Sequence, residues 1–341
     1  MNKSSLLKKM GIVLIMASLL AGCGGNSGTP AKGNAPAKGS ATAQKATKWP
    51  TKPVTIVVPW NAGGDTDIYC RLIAKRLSDK FKQSFVVVDM NGGSGIVGAK
   101  TVMAAKPDGY NALFNHTGTS AIQQATKTVD FSYIDNFETC ATVVQDNTYV
   151  MVVKKSAGWK DLKEFVAYAK ANPGKVRYSQ VYGTITHYVG ARLEDTAGIK
   201  FNMLDVGAGT SERLAAFMGD QVDVLAANYL NVRDYVEKGD FLVLGVCAEK
   251  RVPGLDKVPT FKEQGYDITY PKSYEVKFPK GTDKAIVEKM TGALKEITQD
   301  PTFKKEIEKY YAEPFYRDAE QTVKEDSALI DTMKKIFVIN K

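Results

Sequence analysis

The chain has 341 residues, 44% of them hydrophobic, which is enough for a large core and, at roughly 100–200 residues per domain, for two domains. Its formal charge of +9 is concentrated at one end: residues 1–48 hold seven lysines and no acid, leaving 39 basic against 37 acidic groups beyond them, a balance of +2. A nucleic-acid partner needs a basic patch on the folded domain itself, so that class is set aside.

Lys3, Lys8 and Lys9 precede the apolar run 10–20 and then small residues, the layout of an export signal; the run is shorter than the ~20 residues of a membrane span. Leu20-Ala21-Gly22-Cys23 resembles a bacterial lipobox, which makes 1–22 a lipoprotein signal peptide and Cys23 the expected lipidation site. Residues 24–48 contain no aromatic or branched aliphatic side chain and cannot offset the entropy of ordering, so 23–48 reads as a flexible tether. The globule is expected to begin near Trp49.

Strand-like runs then alternate with segments of helical period. The pairs are 54–58 with 67–77, 85–89 with 96–105, and 111–115 with 120–126. After 150–153 the alternation resumes: helix 161–171, strand 176–179, helix 187–196, strand 201–205, helix 211–218, and strands 222–226 and 242–247. Strands separated by helices of about ten residues predict α/β domains with parallel sheets. The charged amphipathic stretches 283–298, 302–311 and 319–336 predict helices packed against a sheet.

Cys70, Cys140 and Cys247 sit at wide spacings among apolar neighbours, a pattern of buried small hydrophobic residues that leaves one disulfide open and matches no zinc site.

The stretch "VPWNAGGDTD", 58–67, leaves a strand through Pro and two glycines into a helix. Ligands of open α/β sheets collect beyond the carboxyl ends of strands, and glycine lets backbone approach them closely. Asp65 or Thr66 is the expected N-cap, with Ile68, Leu72 and Ile73 buried and Arg71 and Lys75 outside; such a helix start suits an anion. As a metal pair, Asp65 and Asp67 diverge, so they read as cap and surface charge.

A second glycine-rich run, Gly93-Ser94-Gly95-Ile96-Val97-Gly98, has the spacing of a dinucleotide fingerprint, but it belongs to the second strand–helix unit and no acidic residue closes the next strand. Nucleophile-elbow and metalloprotease motifs are absent, and the chain has two histidines, His116 and His187. Neither a cofactor nor catalysis is expected.

Taken in order, "VPWNAGGDTDIYCR" (58–71), "NGGSGIVGAK" (91–100), "KPDGY" (106–110), "AKANPGKVRYS" (169–179), "GTITH" (183–187), "MGDQVDV" (218–224) and "VPTFKEQGY" (258–266) resemble the extracytoplasmic solute receptors of tripartite tricarboxylate transporters. The resemblance implies a two-lobed periplasmic-binding-protein fold of type II, a Venus flytrap, each lobe a mostly parallel sheet flanked by helices. It implies lobe one from 49–150 plus 274–341 and lobe two from 151–273. It further implies a monomer that binds a small organic acid, a di- or tricarboxylate, and partners large and small membrane permease subunits.

Carried over by position, the first anion loop is Trp60, Asn61, Ala62, Gly63 and Gly64, with Asp67 at the helix start. Trp60 replaces the family's usual Phe, and stands either as a pocket wall or in the core; Asn61 replaces the usual Pro. The second loop is Tyr182, Gly183, Thr184 and Thr186, one residue shorter than the family pattern before His187, itself read as structural. The third, Gly207, Ala208, Gly209 and Thr210, repeats the first loop's physics where relatives carry Val-Pro-Tyr-x-Gly. Arg192 and Arg213 are optional further partners of the acid and are otherwise placed at the surface. A receptor feeding a sensor protein and an envelope enzyme acting on a small acid remain open at this stage.

Overall fold

A computed structural model describes residues 48–339; the signal, Cys23 and the tether lie outside the described residues. Trp49 opens the folded part: its ring is buried edge-on against Phe81 and Phe278, and its Nε1 donates to the Gly109 carbonyl at 3.0 Å.

The chain runs β1 (Val54–Val58), α1 (Asp65–Phe81), β2 (Phe85–Asp89), α2 (Ile96–Met103), β3 (Asn111–His116), α3 (Thr117–Thr126) and β4 (Phe137–Asp146). Next come β5 (Tyr149–Lys154), α4 (Leu162–Ala171), β6 (Arg177–Gln180), α5 (Ile185–Ala197), β7 (Asn202–Asp205), α6 (Thr210–Met218), β8 (Val224–Asn228), α7 (Arg233–Lys238) and β9 (Phe241–Val246). The last elements are β10 (Lys272–Pro279), α8 (Lys284–Gln299), α9 (Pro301–Ile307), β11 (Glu313–Asp318) and α10 (Ala319–Ile339).

Two sheets result, ordered β11-β4-β10-β3-β1-β2 and β7-β6-β8-β5-β9. Both are mixed, which corrects the expectation of mostly parallel sheets. β1 pairs parallel with β2 and β3, whereas β10 runs antiparallel to both β3 and β4 and β11 antiparallel to β4. In the second sheet β6 is parallel to β7 and β8, and β5 is antiparallel to β8 and β9. Three of the strands in antiparallel pairs, β4, β5 and β10, flank the points where the chain passes between sheets. It leaves the first sheet after Asp146 and enters the second at Tyr149, then returns through β10.

Each sheet buries both faces, as a sheet covered by helices must. In the first, Ile56, Phe114 and Val276 pack against Ile73 and Leu77 of α1 and Leu294 of α8, while Val57 and Leu113 meet Val102 of α2 on the other side. In the second, Met151 and Ala226 face Phe165 of α4 and Val189 of α5, and Val150 and Leu225 face Phe217 of α6. β2 is an edge strand, with Val86 46% and Val88 36% exposed. All three described cysteines are buried and free.

The glycine-rich run 93–98 has a packing reason. A β-carbon at Gly98 would come within 2.8 Å of Pro59 Cβ, and one at Gly95, whose φ is +91°, within 3.2 Å of the Trp60 ring. These glycines admit the first loop's Pro59 and Trp60.

Candidate ligand site at the carboxyl ends of the strands

A cavity of about 80 Å³ opens where β1, β3, β6, β7 and β8 end, at the place where α/β sheets gather ligands. Three helices begin on it: Asp65 and Thr66 of α1, Ile185 and Thr186 of α5, and Thr210 and Ser211 of α6 all line the wall. The first N–H groups of a helix have no partner inside it and carry about half a positive charge, so the wall is biased toward an anion.

The first loop supplies Trp60, Asn61, Gly63 and Gly64 to the lining, while Ala62 is exposed and outside it. The N-cap of α1 is Gly64, without a side-chain cap bond, so Asp65 and Thr66 stand inside the helix. Asp67 does not reach the cavity: its carboxylate accepts the Gly63 N–H at 2.8 Å and pairs with Arg71 at 2.6 Å. It fixes the loop from behind. Trp60 stacks on His116, ring centroids 5.1 Å apart, and so stands as a wall.

In the second loop Thr184 and Thr186 line the cavity, with Tyr182 and Gly183 outside. The two hydroxyls lie 2.9 Å apart; Thr184 Oγ1 donates to the Val181 carbonyl and Thr186 Oγ1 accepts the Val181 N–H, each at 2.8 Å. They close the shortened loop on itself. Tyr182 is 55% exposed and lies against His187, whose imidazole burial holds down to about 4 and therefore neutral.

The third loop lines the cavity with Ala208, Gly209 and Thr210, but not Gly207. At Gly207, φ +124°, a β-carbon would fall 2.6 Å from Glu212, whose carboxylate accepts the Gly209 N–H at 2.9 Å. A β-carbon at Gly209 would overlap Asn61 Nδ2, so the first and third loops meet face to face.

Sequence reasoning missed the charged floor. Asp65, taken for a cap or surface charge, is buried; Lys272 Nζ donates to its Oδ2 at 2.6 Å and Tyr274 OH donates to the same oxygen. Burial alone would raise the Asp65 carboxyl, but the charge of Lys272 and these bonds outweigh it and hold it down at about 2. Lys272 also donates to Asn228 Oδ1 at 2.9 Å, and Asn228 Nδ2 donates to Asp146, which accepts the Tyr69 hydroxyl at 2.8 Å as well. Burial lifts the Asp146 carboxyl against the pull of Lys272. His116 is held well below its ordinary range, first by burial and then by Lys272.

Arg213, expected at the surface, is 4% exposed and lines the cavity, donating to the Ala226 carbonyl at 2.8 Å and to Thr210 Oγ1 at 3.0 Å. Arg192 is partly exposed, outside the cavity, and pairs with Asp195.

Four side chains of the lining, Trp60, His116, Arg213 and Asn231, carry a buried polar atom without a partner: indole Nε1, imidazole Nδ1, guanidinium Nε and amide Nδ2. Three are donors, and a buried donor left unpaired costs about 1–3 kcal/mol. A larger cavity of about 610 Å³, lined by Gln145, Arg251, Tyr270 and Tyr311 among others, has no such atom. Among the described residues no group of three His, Cys, Asp or Glu is placed to hold a metal ion, and no helix is long and apolar enough to cross a membrane.

Residues 69–339 match the family described as the tripartite tricarboxylate transporter family receptor. The chain belongs to that family. A UPF0065 protein of Cupriavidus necator is 30% identical over 302 residues, covering 85% of this chain and 90% of the relative. Among solved structures, an R. palustris protein with adipate shares 25% identity at a TM-score of 0.79, over 84% of this chain and 97% of the other. The periplasmic binding protein BugD shares 26% identity at a TM-score of 0.77, over 85% and 97% of the two chains. The tricarboxylate-receptor family and these neighbours make the fold a two-lobed periplasmic-binding-protein type II fold.

Proposed function

We propose that the protein is the lipid-anchored extracytoplasmic receptor of a tripartite tricarboxylate-type transporter. It captures a small organic carboxylate between two lobes and hands it to membrane permease subunits. One observation carries the reading: three helix starts open on one small cavity whose lining residues include four with an unpaired buried polar atom, a wall that suits an acceptor-rich guest. The cavity volume, about 80 Å³ against the 300–1,000 Å³ of drug-sized pockets, restricts that guest to a few atoms beyond its carboxylates.

The lobes, 49–150 with 274–341 and 151–273, close by hinge motion at the two crossings, and the ligand favours the closed state by touching both. Charge-assisted hydrogen bonds contribute about 1.5–3 kcal/mol each, so three or four account for the roughly −8 kcal/mol of a micromolar complex after closure is offset. Family membership and the adipate-bound neighbour support a carboxylate. The Cys23 lipobox supports the anchor, and the protein acts as a monomer without chemistry on its ligand.

The test is a thermal-shift and calorimetry panel of four- to six-carbon mono-, di- and tricarboxylates, adipate included, with adipamide as neutral control. Ligand at 100 times its dissociation constant adds about 2.7 kcal/mol of stability. An acid that binds and is recovered unchanged supports a receptor; consumption of the acid makes the protein an enzyme, and a panel without a hit ends the carboxylate reading.

A further inference from the structure

An ammonium has three protons to give. On Lys272 two are placed: one on Asp65 Oδ2 at 2.6 Å and one on Asn228 Oδ1 at 2.9 Å. The side chain is 4% exposed and Lys272 lines the cavity, where the third proton meets no oxygen of the protein; the Tyr274 ring centroid lies 5.2 Å from Nζ. We propose that Lys272 is a direct ligand-binding residue, giving that third proton to a carboxylate of the guest, and that it sets the preference of this site for acids over their neutral analogues.

The rest of the floor makes this lysine an unusual donor. A buried charge must be paired and hydrogen-bonded or it is expelled. Asp65 supplies the pairing, and the Asp65 carboxylate is itself held by Tyr274 OH, which leaves the ammonium fixed in one place. Helix starts and amides offer partial charges; Lys272 offers a whole one in a setting screened from water, where Coulomb attraction is several times stronger than at the surface. Arg213 is the second cation of the lining, so the charged side chains there sum to one net positive charge with Asp65 ionised.

The geometry also ties the two sheets to this one group. Lys272 begins β10 of the first sheet, and Asn228 ends β8 of the second. One nitrogen therefore holds an oxygen from the start of α1, which packs on the first sheet, and one from the end of β8 in the second.

This inference rests on the cavity being the carboxylate site, and the experiment separates the two. The best-bound acid of the panel and its amide are titrated by calorimetry into the wild-type protein, Asp65→Asn, and the charge-balanced double variant Lys272→Met with Asp65→Asn. In the double variant the acid is expected to bind at least tenfold more weakly while the amide changes less than threefold. In Asp65→Asn, which leaves the guest's carboxylate to supply the pairing that Asp65 gave, the acid is expected to bind at least threefold more tightly. Wild-type protein binding no acid overturns the functional reading. An acid-to-amide ratio unchanged in the double variant overturns Lys272 alone. If the double variant does not fold, Asp65→Asn decides, since an unchanged or weakened acid affinity there overturns the role of Lys272.

Discussion

The side-chain amide of Asn61 occupies the space that a β-carbon on Gly209 would need. Two loops 148 residues apart in sequence therefore touch only because position 209 lacks a side chain. Gly209 has φ −82°, which alanine adopts freely, so Gly209→Ala is expected to leave the apo fold intact and to weaken ligand binding severalfold by holding the loops apart. Adding Asn61→Ala restores the room. Calorimetry on the single and double variants checks this; a Gly209→Ala protein that binds like wild type argues against loop contact in the bound state.

Trp60→Phe keeps an aromatic wall against His116 and removes the unpaired indole donor. Removal of an unsatisfied donor is expected to leave the melting temperature of the ligand-free protein unchanged or higher, while ligand affinity drops about five- to tenfold, the worth of one hydrogen bond. Loss of apo stability with unchanged affinity would place the indole in the core.

Gly98→Ala probes the support behind the first loop. Its new methyl meets Pro59 Cα at 2.9 Å and the Met90 carbonyl at 3.0 Å, backbone atoms that have little freedom to move. The expected cost is about 1–3 kcal/mol in urea unfolding, with the first loop displaced through Pro59.

Glu275, Lys277 and Asp326 are buried together, Lys277 Nζ lying 2.8 Å from Glu275 and 3.3 Å from Asp326. Burial first, and then the Asp326 charge, push the Glu275 carboxyl up to about 8. The folded protein keeps a proton that the unfolded chain releases above the ordinary carboxylate range. The stability this proton contributes is present at low pH and is lost as pH rises toward 8. Glu275→Gln retains an acceptor for Lys277 and does not titrate, so its stability relative to wild type should climb between pH 5 and pH 8. A constant difference across that range would contradict the assignment.

His187 works in the opposite sense. It is held down to about 4, so the unfolded chain takes up a proton near pH 6.5 that the folded one refuses. Its contribution to stability falls as pH drops from about 6.5 to 4, by at most about 1.4 kcal/mol per pH unit. His187→Gln should shrink that loss, measured as the difference from wild type in urea unfolding at pH 7 and pH 5.

Sequence pattern reveals the elements whose burial is simple. β1 and β3 are continuous apolar runs or nearly so, and α1 follows glycines that mark its start, so the first cavity loop was legible from pattern, and the second and third from the family resemblance. β4, β10 and β11 were not, because charged and polar residues interrupt their apolar positions. β10 carries Lys272, Glu275 and Lys277, all buried, and periodicity has no means of showing that Asp65 and Asp326 wait for them far away in sequence. The same blindness hid the site's floor. His116, Asn228 and Lys272 become neighbours through the order of strands across the sheets, and Arg213 looked like a surface residue because its acceptors, Ala226 and Thr210, are backbone and hydroxyl instead of acid.

The place of β10 between β3 and β4 sets the order of assembly. β4 has no neighbour among the strands before it; its partners are β10 and β11, made more than a hundred residues later. A nascent chain emerging amino end first therefore carries an unfinished first sheet throughout synthesis of the whole second one. A fragment stopped at residue 150 should show no cooperative melt, because β3 lacks its second neighbour and β4 lacks both until the carboxyl-terminal third has arrived.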